Sequence, residues 1–119
     1  MVEQLLECSP IPFQGATVNE VPDNGGVYLF SNRETGEALY VGQSQKGIRS
    51  RLKDHWAGTD SSDLARELVR QRVANDRSES QEWIKSNVDL RFLTSEELGM
   101  EVKWAEHFAI GALRPKLNK

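Results

Sequence analysis

The sequence contains a single cysteine, Cys8, among its 119 residues. One cysteine excludes an internal disulfide framework and any zinc site built from several cysteines. Long hydrophobic runs are also missing, since the longest nearly apolar stretch, residues 108–113, is far too short to cross a bilayer. The first residues include Glu3 and Glu7, where a secretory signal would carry basic residues. We therefore expect a cytoplasmic protein that does not span a membrane.

The chain has no excess of positive charge. It contains 15 lysines and arginines and 18 acidic residues, and the resulting net charge of −3 argues against a polyanionic partner. The distribution is uneven, because residues 1–25 contain four acids and no base. Two short segments contain bases and no acid, namely Lys46, Arg49, Arg51 and Lys53, and then Arg114, Lys116 and Lys119. These clusters predict either one anion-binding face or an ordinary solvated surface.

No repeat, low-complexity segment or linker divides the chain. Hydrophobic residues make up 38% of the sequence, which excludes the disordered and collagen-like classes. A chain of this length has room for one hydrophobic core. We therefore predict a single domain, 1–119, in which residues 1–24 form an acidic N-terminal segment.

The predicted strands indicate a small α+β domain. An Asn-Gly-Gly turn leads into a predicted strand at 27–30, and a loop returns the chain into a second strand at 38–42. The two are expected to pair as an antiparallel hairpin. Alternating polarity predicts a third strand at 88–93, whereas 9–15 is predicted to be irregular. We expect a small three-stranded antiparallel sheet flanked by helices.

Helices are predicted for most of the remaining chain. Apolar residues at helical spacing predict helices over 47–56 and 63–73, and a short helical piece around Trp83. A capping-box pattern that begins at Thr94 predicts a last helix over 94–113, which the following proline ends. The three tryptophans lie on or next to these periodicities, so we predict them to be core residues rather than platforms for base stacking.

The residues that carry chemistry occur in a distinctive order along the chain. They are Gly26-Val27-Tyr28 and Tyr40-Val41-Gly42 on the paired strands, Arg51 and His55 one helical turn apart, then Glu106 and Asn118. This set, spread over residues 25–118, resembles the GIY-YIG nuclease family. Valine replaces isoleucine at both motif centres, which keeps a β-branched side chain there. The resemblance implies a GIY-YIG-like fold and a metal-dependent nuclease.

The residue types suit phosphodiester hydrolysis. Its transition state places extra negative charge on phosphate oxygens, so the site needs fixed positive charge, a metal and a proton acceptor. We expect the Arg51 guanidinium to bind the phosphate through two parallel hydrogen bonds. We expect Glu106 to bind Mg²⁺ or Mn²⁺, because a lone carboxylate suits an ion that keeps several waters. Glu101 is a rival ligand, but Glu106 has the spacing to Asn118 that the resemblance implies.

The two tyrosines and the histidine have alternative roles. A tyrosine acts as a base near pH 7 only if its pKa is lowered, which Arg51 and a metal would favour. The resemblance implies that Tyr28 activates the attacking water and that Tyr40 orients water or phosphate. A cross-strand aromatic pair is the alternative for both. His55 is expected to bind the phosphate or to share a proton with Tyr28, and a half-buried structural histidine is the alternative.

Four further residues are predicted to contact nucleic acid or to support the site. Ser44 and Lys46 directly follow the second motif, and Arg49 belongs to the first basic cluster. Asn118 is expected to support the backbone or to position Glu106, with a simple C-terminal cap as the alternative.

The function expected from this set is that of a metal-dependent endonuclease that cleaves DNA. Because 119 residues leave no room for a recognition domain, we expect sequence specificity to be low, to follow the structure of the DNA, or to be supplied by a homodimer or a protein partner. The alternative is a catalytically weak nucleic-acid-binding or protein-interaction module on the same scaffold, which the acidic N-terminal segment motivates. RNA is a further substrate that the sequence does not exclude.

Overall fold

Four antiparallel strands and seven helices build the described part of the protein, which in this computed structural model comprises residues 2–57 and 63–118. The elements are α1 (Val2–Glu7), β1 (Ile11–Pro12), α2 (Gly15–Glu20), β2 (Gly26–Asn32), β3 (Ala38–Ser44), α3 (Ile48–Ala57), α4 (Asp63–Arg70), α5 (Arg77–Asn87), β4 (Val88–Thr94), α6 (Ser95–Leu98) and α7 (Val102–Leu113). Within the described ranges, no helix has the length and apolar character that a membrane span requires.

The predicted α+β class and the antiparallel hairpin are confirmed. The sheet has the order β1-β4-β2-β3, and β2 pairs antiparallel with both β3 and β4. The sheet has one strand more than the three predicted, because Ile11 and Pro12 pair with the outer edge of β4. Two residues are too few to produce an alternating pattern, and proline is tolerated at a sheet edge.

The C-terminal residues cover the opposite edge of the sheet. The backbone amides of Lys116 and Leu117 donate to the carbonyl oxygens of Ala38 and Leu39, at 3.2 and 2.7 Å. These bonds satisfy acceptors on β3 that would otherwise be open to pairing with another chain. The end of the chain is therefore an integral part of the fold.

Each face of the sheet supports its own hydrophobic cluster. One face packs against α2, α3, α4 and α5, and its strand residues include Tyr28, Phe30 and Tyr40. The other face packs against α1, α6 and α7, and its strand residues include Val27 and Leu29. The alternation of residues 27–30 between the two clusters follows from the two-residue period of a strand.

Helices α4 and α5 differ from their predicted limits. Helix α4 ends at Arg70 rather than at residue 73, and Arg72 adopts a left-handed conformation with φ 61°. Helix α5 is longer than the predicted piece around Trp83, because the Asp76 side chain accepts a hydrogen bond from the Glu79 amide and starts the helix among polar residues. An N-cap of this kind stabilises a first turn that has no apolar periodicity.

The predicted helix over 94–113 is two helices. The capping box is present, since the Glu97 carboxylate accepts from the Thr94 amide at 3.0 Å. Gly99, however, has a left-handed backbone with φ 65°, which ends α6 before α7 begins at Val102. Glycine adopts this conformation without the steric cost that a Cβ brings.

Helix α7 turns its small residues toward the sheet. Ala105 and Ala109 are fully buried, whereas Trp104 is 61% exposed. The prediction that Trp104 belongs to the core is therefore wrong. The other two tryptophans, Trp56 and Trp83, are partly buried and pack against the larger cluster.

Gly99→Ala is expected to lower the free energy of unfolding by about 1–2 kcal/mol, because an L-residue at this left-handed position is strained. The matched control is Gly111→Ala in α7. A Cβ would meet open space at both positions, but alanine at the helical position should stabilise the protein by up to about 1 kcal/mol. Denaturant unfolding measures both changes. An unchanged stability of Gly99→Ala would contradict the break between the two helices.

Candidate active site

The central hairpin places the two motif tyrosines on the same face of the sheet. Tyr28 lies opposite Gly42, and Tyr40 lies opposite Phe30. The Phe30 ring lies between them, with centroids 5.4 Å from Tyr28 and 6.2 Å from Tyr40. Both tyrosines are buried, and Tyr28 is fully so. The predicted cross-strand aromatic arrangement is therefore present, and it includes Phe30.

The glycines of the two motifs are required because neighbouring atoms lie too close to leave space for a Cβ. A Cβ at Gly42 would collide with the hydroxyl end of the Tyr28 ring, which lies across this residue. A Cβ at Gly26 would collide with the Leu93 carbonyl oxygen on β4 and with the Ile48 side chain. The Tyr28 hydroxyl reaches its position because residue 42 has no side chain.

His55 lies at the centre of the aromatic group. Its Nε2 is 2.8 Å from the Tyr28 hydroxyl oxygen, and its ring centroid lies 5.4–5.7 Å from those of Tyr28, Phe30 and Tyr40. The side chain is fully buried. Of the roles considered for His55, proton sharing with Tyr28 matches this geometry, whereas direct contact with a phosphate does not.

Burial raises the pKa of the Tyr28 hydroxyl, because the phenolate would lose its hydration, and the neighbouring Tyr40 adds to this shift. The Arg51 guanidinium opposes it through its charge and a hydrogen bond. Burial outweighs this opposition, so the lowered pKa that a phenolate base would require is not produced by Arg51. At neutral pH Tyr28 is protonated, and its hydroxyl and His55 share one hydrogen bond.

Arg51 lies between the buried aromatic group and an open pocket of about 330 Å³. The pocket is lined by Asp23, Ser44, Lys46, Gly47, Ser50, Arg51 and Asp54. The Arg51 side chain is 26% exposed, and its Nη1 is 3.8 Å from the Asp54 carboxylate. Three of the residues predicted for phosphate contact, Arg51, Ser44 and Lys46, are thus brought together around one concave surface.

Asp23 is a pocket residue that the sequence analysis did not identify. Its carboxylate accepts hydrogen bonds from the backbone amide and the hydroxyl of Ser50, at 3.3 and 3.4 Å, and lies against Gly47. An acidic group at this place satisfies free amides at the N-terminus of α3 and interacts favourably with the helix dipole. No local pattern connects Asp23 with α3, since a whole hairpin separates them.

The other contacts of the N-terminal segment also fix the start of α3. Arg49 Nε donates to the Val21 carbonyl at 2.7 Å, and the Ile48 amide donates to the Asn24 carbonyl at 2.8 Å. Ser44 Oγ accepts from the Gly47 amide at 2.9 Å. Of the two roles predicted for Arg49, contact or support, these bonds favour support.

Glu106 projects from α7, on the opposite side of the sheet from α3. It is half-buried, and burial raises the pKa of its carboxyl, an effect that the neighbouring His107 opposes. Its charge contributes to the raised pKa of Tyr28, so the two groups are close enough to interact. Glu101, the rival ligand, is exposed at the start of α7.

A lone carboxylate such as that of Glu106 is chemically suited to a hard divalent cation that keeps most of its waters. Among residues 2–57 and 63–118, no group of three or more His, Cys, Asp or Glu side chains could enclose a metal. A single carboxylate with open coordination positions is typical of Mg²⁺ sites that also bind substrate phosphates. Glu106 stays the residue that the sequence predicts to hold such an ion.

Asn118 binds the backbone of the second motif. Its side-chain oxygen accepts from the Val41 amide at 2.8 Å, and its Nδ2 donates to the Val41 carbonyl at 3.0 Å. This paired contact imitates the hydrogen bonding of a further strand at the edge of β3. Of the roles considered for Asn118, backbone support matches this geometry.

Comparisons with known proteins confirm the resemblance at the level of the fold. No protein-family model matches the chain, and no curated protein sequence matches it significantly. Solved structures of the GIY-YIG N-terminal endonuclease domain of UvrC from Thermotoga maritima do match. A tyrosine-to-phenylalanine point mutant of that domain, bound to its catalytic divalent cation, has 22% identity and a TM-score of 0.56, with 87% of this chain and 92% of that chain covered.

The magnesium-bound form of the same domain has 21% identity and a TM-score of 0.54, and the match covers 89% of this chain and 100% of that chain. This similarity shows that the protein has the GIY-YIG domain fold, over nearly the whole length of both chains. The roles of the individual site residues stay predictions.

Tyr28→Phe is expected to lower the free energy of unfolding by about 1–3 kcal/mol near neutral pH, because it leaves the buried His55 nitrogen without its partner. The raised pKa of Tyr28 means that this difference is constant below the ordinary tyrosine pKa of about 10. Above that pH the unfolded tyrosine ionises while the folded one stays protonated, so the wild type loses stability and the difference narrows.

Denaturant unfolding of both proteins across the alkaline range measures this narrowing. The Phe variant keeps every other titrating group and serves as the matched reference. A difference that stays constant from neutral pH to well above pH 10 would contradict the burial of the Tyr28 hydroxyl.

Proposed function

We propose that this protein is a divalent-metal-dependent endonuclease that hydrolyses DNA phosphodiester bonds. The observation that carries the proposal is the convergence of Tyr28, Tyr40 and His55 on one face of the hairpin, with Arg51 one turn before His55 on α3 and lining the open pocket. The GIY-YIG domain fold supports it. The similar solved structures of the UvrC domain bind a catalytic divalent cation, which supports a metal-dependent reaction.

In the proposed reaction, the pocket beside α3 binds the scissile phosphate. Arg51 supplies two parallel donors to its oxygens, and Lys46 adds a point charge. Both side chains line the pocket, and neither is buried. These fixed charges stabilise the transition state, in which the phosphate oxygens gain negative charge.

Tyr28 and His55 form the proposed path for the proton of the attacking water. The water oxygen forms the new bond to phosphorus as the bond between phosphorus and the leaving oxygen breaks. The water proton passes to the Tyr28 oxygen, the Tyr28 proton passes to Nε2 of His55, and the leaving oxygen takes a proton from solvent. The 2.8 Å contact between the two groups supports this transfer. It requires no free phenolate, in agreement with the raised pKa of Tyr28.

Arg51 controls access to this path. The Tyr28 hydroxyl is buried, and the partly exposed Arg51 guanidinium lies near enough to oppose the rise of its pKa. When the guanidinium moves onto a phosphate, it leaves the phenol oxygen and opens a way for water. Binding of substrate and exposure of the proton acceptor are coupled in this way.

A divalent ion held by Glu106 would supply Lewis-acid stabilisation to the phosphate and the leaving oxygen. Glu106 itself must be deprotonated to bind the ion, and its raised pKa opposes this step. The ion and the carboxylate are therefore expected to stabilise each other.

The alternative, a catalytically weak binding or protein-interaction module, is supported by one observation. The Asp23 carboxylate lies inside the pocket beside Arg51 and Lys46, where it would repel an incoming phosphate. The two candidates differ in whether the bound nucleic acid is cut.

Nicking of supercoiled plasmid in Mg²⁺ or Mn²⁺ is the direct test. Arg51→Ala and Glu106→Gln are each expected to reduce the rate by about 10²-fold or more, because each removes charge stabilisation of the transition state. Glu101→Gln and Arg33→Ala are matched controls, because they change an exposed acid on the same helix and an arginine at the hairpin loop. EDTA should abolish nicking by the wild type.

Nicking that survives both Arg51→Ala and Glu106→Gln would contradict the proposed site. No nicking by the wild type on plasmid, branched and flap DNA, together with metal-independent DNA binding, would favour the alternative module. A steep salt dependence of that binding would identify contacts to the phosphate backbone.

Glu106→Gln is expected to stabilise the protein in EDTA at neutral pH. Since burial raises the pKa of Glu106 in the folded state, ionisation costs stability as the pH rises through the ordinary and then the raised pKa. The difference between variant and wild type should therefore vanish in acid, where both side chains are neutral.

Mg²⁺ at about 100 times its Kd should stabilise the wild type by about 2.7 kcal/mol and the Glu106→Gln variant much less. Thermal unfolding with and without Mg²⁺, for the wild type, Glu106→Gln and Glu101→Gln, measures both effects. Equal stabilisation of the wild type and Glu106→Gln by Mg²⁺ would remove Glu106 as the metal ligand.

A further inference from the structure

Helix α7 exposes two large aromatic side chains on its outer side. Trp104 and Phe108 are 61% and 62% exposed, more than any other large hydrophobic side chain that the structure describes. They are four residues apart, so their side chains are neighbours on one side of the helix. The buried residues Ala105 and Ala109 hold the adjoining side of the helix against the sheet. Neither aromatic ring is used by the fold or by the proposed reaction.

One lysine and one imidazole accompany these aromatic rings, and the exposed Glu101 lies three residues before Trp104, at the start of the helix. Lys103 Nζ is 5.9 Å from the centre of the Trp104 ring, and the His107 ring is 6.2 Å from it. Residues 103–116 contain a single acid, Glu106, which is half-buried and lies about half a turn around the helix from Trp104. Arg114 and Lys116, both exposed, extend the positive charge beyond the end of the helix.

We propose that Lys103, Trp104, His107 and Phe108, the aromatic face, bind single-stranded DNA by stacking its bases on the two aromatic rings. This inference rests on the proposed function and names its substrate class, DNA with a single-stranded arm. Aromatic platforms flanked by cations are the chemistry with which proteins hold unpaired strands. The centre of a protein–protein interface is instead depleted of lysine, so the mixture of charge and aromatics favours the nucleic acid.

The position of Glu106 relates the aromatic face to the proposed cleavage site. Glu106 comes two residues after Trp104 and two before Phe108, on the other side of the same helix. The diameter of a helix with its side chains is about 10–12 Å, which is only a few nucleotides of extended strand. A strand held on the aromatic face therefore brings the adjoining phosphates to Glu106, so cleavage is expected next to a junction between single-stranded and duplex DNA.

Fluorescence anisotropy of a labelled oligothymidylate in EDTA tests binding apart from hydrolysis. Trp104→Ala and Phe108→Ala are each expected to raise the Kd by about fivefold or more, because each removes the ring on which one base stacks. Trp104→Phe should keep most of the affinity, because it keeps an aromatic ring. Lys103→Gln should reduce the slope of log K against log salt by about 0.7. Val69→Ala, an exposed apolar residue on α4, is the matched control.

Three outcomes would overturn the proposal. In the first, the wild type does not bind the oligothymidylate. In the second, both alanine variants bind it with wild-type affinity. In the third, the wild type is a dimer that Trp104→Ala converts to a monomer, while oligothymidylate binding stays the same. The last result would assign the aromatic face to a second copy of the chain.

The same proteins separate this proposal from the proposed function. If the oligothymidylate binds to the aromatic face in EDTA but no substrate is cut, the binding proposal stands and the nuclease proposal fails. If Mg²⁺-dependent cleavage depends on Arg51 and Glu106 while both alanine variants bind and cut flap DNA as the wild type does, the nuclease stands and the aromatic face has no part in it.

Discussion

The Tyr28 ring lies across the backbone of Gly42, and this contact between two paired strands sets the geometry of the candidate site. Because residue 42 has no side chain, the Tyr28 hydroxyl extends to Nε2 of His55, at 2.8 Å. The bond fixes α3 relative to the hairpin, and Arg51, one turn earlier on α3, is thereby held between Tyr28 and the pocket. A slip of one strand by one residue would turn its side chains over and leave Tyr28 and Tyr40 on opposite faces of the sheet. The register of β2 and β3 is therefore the constraint on which the whole arrangement depends.

The parts of this arrangement that could be predicted are those with a short sequence period. Turn signals and short apolar runs gave both strands of the hairpin, alternation gave β4, and the four-residue spacing gave Arg51 and His55 on one helix. The two-residue strand β1 has no period to detect, since Ile11 and Pro12 form a strand only because β4 offers them an open edge. The glycine break in the last helix escaped prediction because a capping box and apolar spacing favoured a continuous helix on either side of it.

What the sequence could not provide are contacts between distant segments and the rotation of a helix on its support. The Asp23 carboxylate accepts a hydrogen bond from the Ser50 amide although the whole hairpin separates them in the sequence, and no local pattern predicts such a pair. Trp104 was assigned to the core on its hydrophobicity, but helix α7 packs through Ala105 and Ala109. Small residues let a helix lie close to a sheet, and that close approach leaves no space for an indole on the same side. The bulkiest side chain of α7 is consequently directed outward.

Charge limits what a scaffold with more acids than bases can bind. In the pocket, the positive charges of Lys46 and Arg51 are matched by the carboxylates of Asp23 and Asp54, so the pocket exerts little long-range attraction on DNA. The pair between Arg51 and Asp54, at 3.8 Å, is weak. Affinity must then come from a source that does not depend on net charge. Stacking of bases on exposed aromatic rings is such a source, and it would hold the strand while Arg51 changes partner.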